Sequence, residues 1–303
     1  MPDIIRERRG PALWLYLNQP ERLNAYDYAM AMELRAHLED SGDARAVVIA
    51  GKGRGFCAGG YLADLTTPRP RDIRRLYHAS LALFETMRNC PQPVIAAVNG
   101  PAAGGGNELV VACDLAIAGR SASFGQTGPT VGSSPVLGGA NFLAMSIGEK
   151  RAKEVAFFCR RYKAEEALRL GWINAVVDDD RLEDEVQAWV EELGRRTSPR
   201  YIAMTKVSSN VFWNNMRDAY VSGLGMLEQA IGSHDMVEGA RAFVEKRPPR
   251  FEPLYGGEDD AGQESDAVAS TVPITRGVSD GGAADDGVGD SPGAVLRPRR
   301  PSR

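Results

Sequence analysis

The spacing of apolar positions divides the chain into two regimes. In the first, short apolar runs alternate with helical patterns. Ile4–Arg8 and Ala12–Leu17 flank an Arg-Gly turn and predict a hairpin. Ala46–Ala50 and Val94–Val98 are uninterrupted apolar runs that predict buried strands, and Leu115–Ala118 predicts a third. Between them, Tyr28–Glu39 predicts a helix, Ile73–Met87 is apolar at helical spacing with Asp72 as its cap, and Gly105–Ala112 predicts a short amphipathic helix. Strands alternating with helices imply βαβ units with right-handed crossovers. From Gly139 onward the pattern turns mostly helical. The segments are Ala140–Ile147, Lys150–Phe158, Ala164–Leu170, Arg181–Arg195 and a run of helices from Pro199 to Lys246, with one further strand at Ile173–Val177.

Two strand exits are rich in glycine. Gly51–Gly60 (G-K-G-R-G-F-C-A-G-G) follows the Ala46–Ala50 strand, and Gly104–Gly106 opens the helix after Val94–Val98. Glycines at a strand-to-helix turn let the backbone approach a ligand, with free N–H groups at the positive end of the helix dipole. Two such donors converging on one oxygen form an oxyanion hole. Glu108, one turn into the second helix, is then a candidate acid or base.

Composition narrows the class. The 303 residues are 43% hydrophobic, ample for one large core. No run of apolar residues is long enough to span a bilayer and the N-terminus is charged, so the expectation is a cytoplasmic protein with no membrane partner. Cys57, Cys90, Cys113 and Cys159 are widely spaced and His37, His78 and His234 are scattered, which argues against a disulfide framework or a metal site. Residues 257–303 hold nine acids against five Lys/Arg, so the whole formal charge of −4 lies there and residues 1–256 are balanced. That segment lacks aromatic residues and periodicity and is expected to be a disordered tail. The balanced remainder carries no basic excess, which argues against nucleic acid as a partner.

Four motifs in order carry a resemblance: F-C-A-G-G at Phe56–Gly60, G-G-G-N-E at Gly104–Glu108, C-D-L-A-I-A at Cys113–Ala118 and F-G-Q at Phe124–Gln126. Together they resemble the enoyl-CoA hydratase/isomerase (crotonase) superfamily, from about Ile4 to Phe251. The resemblance implies an α/β crotonase (ClpP-like) fold of repeated ββα units over residues 1–195. It also implies a helical C-terminal region over 196–256 that forms a homotrimer or hexamer. The substrate would be an acyl-CoA thioester, with coenzyme A present only as part of it and no permanently bound cofactor. By resemblance the oxyanion donors are the N–H groups of Ala58 and Gly105, beside Gly59. The CoA nucleotide would meet the turn Arg22–Ala25, including Asn24, and the basic residue Lys246.

The hydratases of the family use two glutamates. Glu108 matches the first and Gly128 stands at the second. F-G-Q-T-G-P-x-V-G-S at Phe124–Ser133 resembles a subgroup containing dihydroxynaphthoyl-CoA synthase and 2-ketocyclohexanecarboxyl-CoA hydrolase, but Pro135 and Ala140 replace that subgroup's aspartate and serine. Gly104–Glu108, Gly125–Ser133, Gly138–Ala140 and Phe142–Leu143 resemble 6-oxocyclohex-1-ene-1-carbonyl-CoA hydrolase more fully. These resemblances imply water addition to an enoyl- or cyclic β-oxoacyl-CoA, with ring closure, plain hydration and a non-catalytic scaffold as alternatives. Gln126, Thr127, Ser133 and Ser134 are candidates for binding water or a ketone. Tyr61 and Asp64 are candidates for shaping the acyl pocket or capping the next helix.

Overall fold

Six strands line up in one twisted sheet whose two faces are both covered. The computed structural model describes residues 2–61 and 69–252. β1 (Ile4–Arg9) and β2 (Ala12–Leu17) form the expected antiparallel hairpin. β3 (Ala46–Gly51), β4 (Val94–Val98), β6 (Leu115–Gly119) and β9 (Ala175–Val177) continue from β2 in parallel, giving the order β1-β2-β3-β4-β6-β9. β3 and β4 are buried along their whole length, which is why they read as continuous apolar runs. Leu13, Leu15, Val47 and Ile49 face the main core, against α1 (Tyr28–Glu39), α2 (Pro70–Asn89) and α3 (Gly105–Ala112). Trp14, Tyr16, Val48, Ile95 and Ile117 face the other way, under Leu182, Val186 and Val190 of α7 (Leu182–Arg196).

A second sheet of three short strands positions the site: β5 (Pro101–Ala103), β7 (Ser123–Gly125) and β8 (Tyr162–Lys163). Periodicity gives no sign of strands this short. β5 draws the first glycine loop to the second, because Cys57 bridges Ala102 and the Ala103 N–H donates to the Cys57 carbonyl at 3.0 Å. The remaining helices are α4 (Leu143–Ile147), α5 (Glu149–Phe158), α6 (Ala164–Leu170), α8 (Pro199–Ser209), α9 (Val211–Gln229) and α10 (His234–Val244).

Several boundaries differ from the sequence expectation. α2 starts at Pro70, a residue suited to the first helical position, so Arg69 is the cap and Asp72 sits in the first turn, paired with Arg69 at 2.7 Å. α3 is buried on nearly every side rather than amphipathic. The helix expected at Ala140 begins only at Leu143, because Gly138 has φ +120 and the Gly139 N–H is taken by Glu108. β9 begins at Ala175, since the Asn174 side chain accepts the Ala116 N–H at 2.8 Å in place of a backbone carbonyl. Asp64 and the segment 257–303 lie outside the described residues.

Candidate active site

The two glycine loops meet at Gly59. Its φ is +102, and a Cβ there would stand 2.8 Å from the Ala103 carbonyl and 3.0 Å from the Gly105 nitrogen, so only glycine allows this approach. Gly104 caps α3 with φ +52 and donates its N–H to Gly125 at 3.0 Å. Gly105 is the first residue of the helix, and its N–H has no acceptor among the described residues.

The partner donor is not where the motif placed it. The Ala58 N–H is taken by the Leu23 carbonyl at 2.9 Å, which leaves it unable to serve a ligand. Tyr26 donates to the Gly59 carbonyl at 2.8 Å, and Tyr61 donates to the Tyr26 carbonyl at 3.1 Å, forming a strand-like bridge between Tyr26 and Gly60. Alternation along such a bridge turns the Gly60 N–H away from Tyr26, and it meets no acceptor among the described residues. Gly60, rather than Ala58, therefore has the free donor beside Gly105.

Both loops line a cavity of about 90 Å³. Glu108 lines it as well, 6% exposed, with Oε1 accepting the Gly139 N–H at 3.1 Å. Burial pushes this carboxyl up to about 8, against the downward pull of the Gly139 and Leu137 N–H groups. Tyr61, Gln126, Thr127, Ser133 and Ser134 are all brought to the same cavity, as are Gly128 and Pro135. Glu108 is the one carboxylate among the described lining residues.

Other expected contacts fall elsewhere. Asn24 is fully buried and holds the first loop in shape: its Nδ2 donates to the Lys52 and Gly55 carbonyls at 2.9 and 2.8 Å, and its Oδ1 accepts from Gln19. Its side chain is thus committed to the protein and not to a ligand. Ala25 is buried beside it, and neither lines the cavity. Arg22 pairs with Asp27 at 2.9 Å and covers the Tyr61 ring from outside the cavity. Lys246 is exposed just beyond α10 and outside the cavity lining.

Sequence reasoning missed Tyr26, Tyr77 and Ser80, which also line the cavity. The signal for two of them was legible: Tyr77 and Ser80 interrupt the buried stripe of α2 at i and i+3, placing hydroxyls where a core helix has none. No group of three or more His, Cys, Asp or Glu side chains suited to a metal occurs among the described residues.

The enoyl-CoA hydratase/isomerase family profile matches residues 11–253. This chain belongs to that family. It is 38% identical over 237 residues to a probable enoyl-CoA hydratase of Rhodobacter capsulatus, covering 78% of this chain and 92% of that one. Among solved structures it is similar to an enoyl-CoA hydratase/isomerase from Xanthobacter autotrophicus Py2, at 30% identity and TM-score 0.75, covering 83% of this chain and 99% of the other. It is also similar to a carnitinyl-CoA hydratase from Mycobacterium avium, at 30% identity and TM-score 0.72 over 83% of this chain and 99% of that one. The family makes it an acyl-CoA enzyme, and no helix among the described residues is long and apolar enough to cross a membrane.

Proposed function

We propose that this enzyme adds water to an acyl-CoA thioester through a CoA enolate, with Glu108 as the single proton carrier. The reaction is hydration of an enoyl-CoA or hydrolytic opening of a cyclic β-oxoacyl-CoA. The observation that carries this reading is that Glu108 is the one carboxylate among the described lining residues, while Gly128 and Pro135 occupy the positions of the second acids in the enzymes the chain resembles. One carboxylate suffices if it returns the proton it takes. Ionised Glu108 removes a proton from water, and the hydroxide adds to the β-carbon or to the ring ketone. In the second case the adduct collapses and the C–C bond electrons pass to the α-carbon. Either way negative charge reaches the thioester oxygen, where the Gly60 and Gly105 N–H groups stabilise it. The protonated Glu108 then delivers its proton to the α-carbon.

A carboxyl at about 8 suits this shuttle, since it is poised near neutral pH as both acceptor and donor. Coenzyme A enters as part of the substrate, with no resident cofactor. Exposed apolar side chains on α8 and beyond α10 support a homotrimer or hexamer. The test is mass spectrometry of wild type and Glu108→Gln incubated with linear enoyl-CoAs and cyclic β-oxoacyl-CoAs. A product heavier by one water should appear, and the substitution should slow it by about 10²–10⁴-fold. Wild-type-like turnover in Glu108→Gln would overturn the mechanism.

A further inference from the structure

Two donors in the cavity have no partner among the described residues and no task in the reaction above. The Tyr77 hydroxyl and Gln126 Nε2 are both shut off from solvent and make no hydrogen bond among the described residues. Tyr77 is 8% exposed and Gln126 1%, and both line the cavity from different elements, α2 and the segment after β7. Burial pushes the Tyr77 hydroxyl up to about 12, the nearby Ser133 hydroxyl pulls weakly the other way, and the two do not reach hydrogen-bond geometry. Folded proteins seldom leave buried donors unpaired, because the desolvation penalty is then uncompensated. The thioester oxygen belongs to Gly60 and Gly105, and the attacking water to Glu108. Leu76, Val131, Leu137 and Leu227 add hydrocarbon to a wall that also carries the more open hydroxyls of Thr127, Ser133 and Ser134. What remains unmatched is an acceptor oxygen carried on an otherwise apolar acyl group.

We infer that Tyr77 and Gln126 are specificity-determining residues that together hydrogen-bond a ketone oxygen on the acyl group, so that the enzyme selects oxoacyl-CoA esters over their hydrocarbon counterparts. This rests on the water-adding reading of the same cavity and narrows it to the β-oxo branch. A site built around buried donors rejects a ligand that lacks the oxygen more strongly than it rejects a change in carbon skeleton, because the donors are then left unpaired.

The test is calorimetric binding of 2-oxocyclohexanecarbonyl-CoA and cyclohexanecarbonyl-CoA to Glu108→Gln, in which turnover is slow on the timescale of a titration. The same two titrations are repeated with Tyr77→Phe or Gln126→Leu added. A β-oxo ester also enolises and meets the oxyanion donors more strongly, so the difference between variants decides the matter. The expected result is that each added substitution weakens the oxo ester by about five- to thirtyfold and leaves the hydrocarbon ester within about twofold. Equal losses on both esters, or none on either, would overturn the inference even if thermal melts show every variant folded. Product formation by wild type is scored separately. Selective binding without a water-added product sinks the proposed reaction but supports the recognition, whereas turnover without selective binding sinks the recognition alone.

Discussion

Glu108 links catalysis to stability through its proton. Its carboxyl sits at about 8 in the folded protein against an ordinary value of 4.5. Between those values the unfolded chain has lost the proton and the folded chain keeps it. The folded state therefore binds more protons, and stability must fall as pH rises through the window. Glu238 cannot mask this, since its pairing with Arg247 lowers its carboxyl to about 2, and its contribution is lost only in acid. Melting temperature should drop from about pH 5 to about pH 8, and Glu108→Gln should remove most of that slope and melt higher at the alkaline end. The same proton shapes the rate. The ionised form is the base, so kcat/KM should climb with pH to a plateau above about 8. A rate that declines across this range would make the protonated acid the active form. A flat melting profile would mean that Glu108 titrates normally.

At the level of elements, Gly106 shows how tightly the second loop is set. A Cβ on it would lie 2.0 Å from the Cys57 carbonyl, which β5 holds by a hydrogen bond to Ala103. Backbone cannot step aside as a side-chain tip can. Gly106→Ala should destabilise by about 3 kcal/mol or more and lose activity with it. Gly225, exposed on α9 with nothing within 4 Å of where a Cβ would stand, is the contrast: Gly225→Ala should stabilise by roughly 0.5–1 kcal/mol. Denaturant melts of the two variants check both signs. These cases also show what the sequence could and could not reveal. Long apolar runs such as Ala46–Ala50 and capped helices such as Tyr28–Glu39 carry their own periodicity, and both appear as expected. Strands of two or three residues have no period, so β5, β7 and β8 were invisible. Glu108 and the facing loop were legible from motif order. The identity of the first donor was not, because a bridge to Tyr26, over thirty residues earlier in the chain, decides which glycine N–H is left free.

For the whole molecule, α8 is built the wrong way round for a lone protomer. Its lysine points inward: Lys206 is 6% exposed, with Nζ 2.7 Å from Asp114 Oδ2 and 2.7 Å from the Met87 carbonyl. Its apolar residues point outward, with Tyr201, Met204 and Val207 each more than half exposed, and Phe243 and Val244 at the end of α10 are similarly bare. A buried, fully paired lysine fixes the orientation of the helix, so the outward apolar face is not an accident of rotation. Such a face is stable in water when a second copy covers it. The chain should therefore behave in solution as the proposed trimer or hexamer, and Met204→Asp should shift its mass by light scattering towards the protomer while leaving its far-ultraviolet dichroism unchanged. Ending the chain at Gly256 should change neither mass nor melting temperature, because residues 257–303 have too little apolar surface to join that contact. A wild-type protein that runs as a monomer at micromolar concentration would refute the assembly. If truncation dissolved it instead, the acidic segment would have to be holding the subunits together.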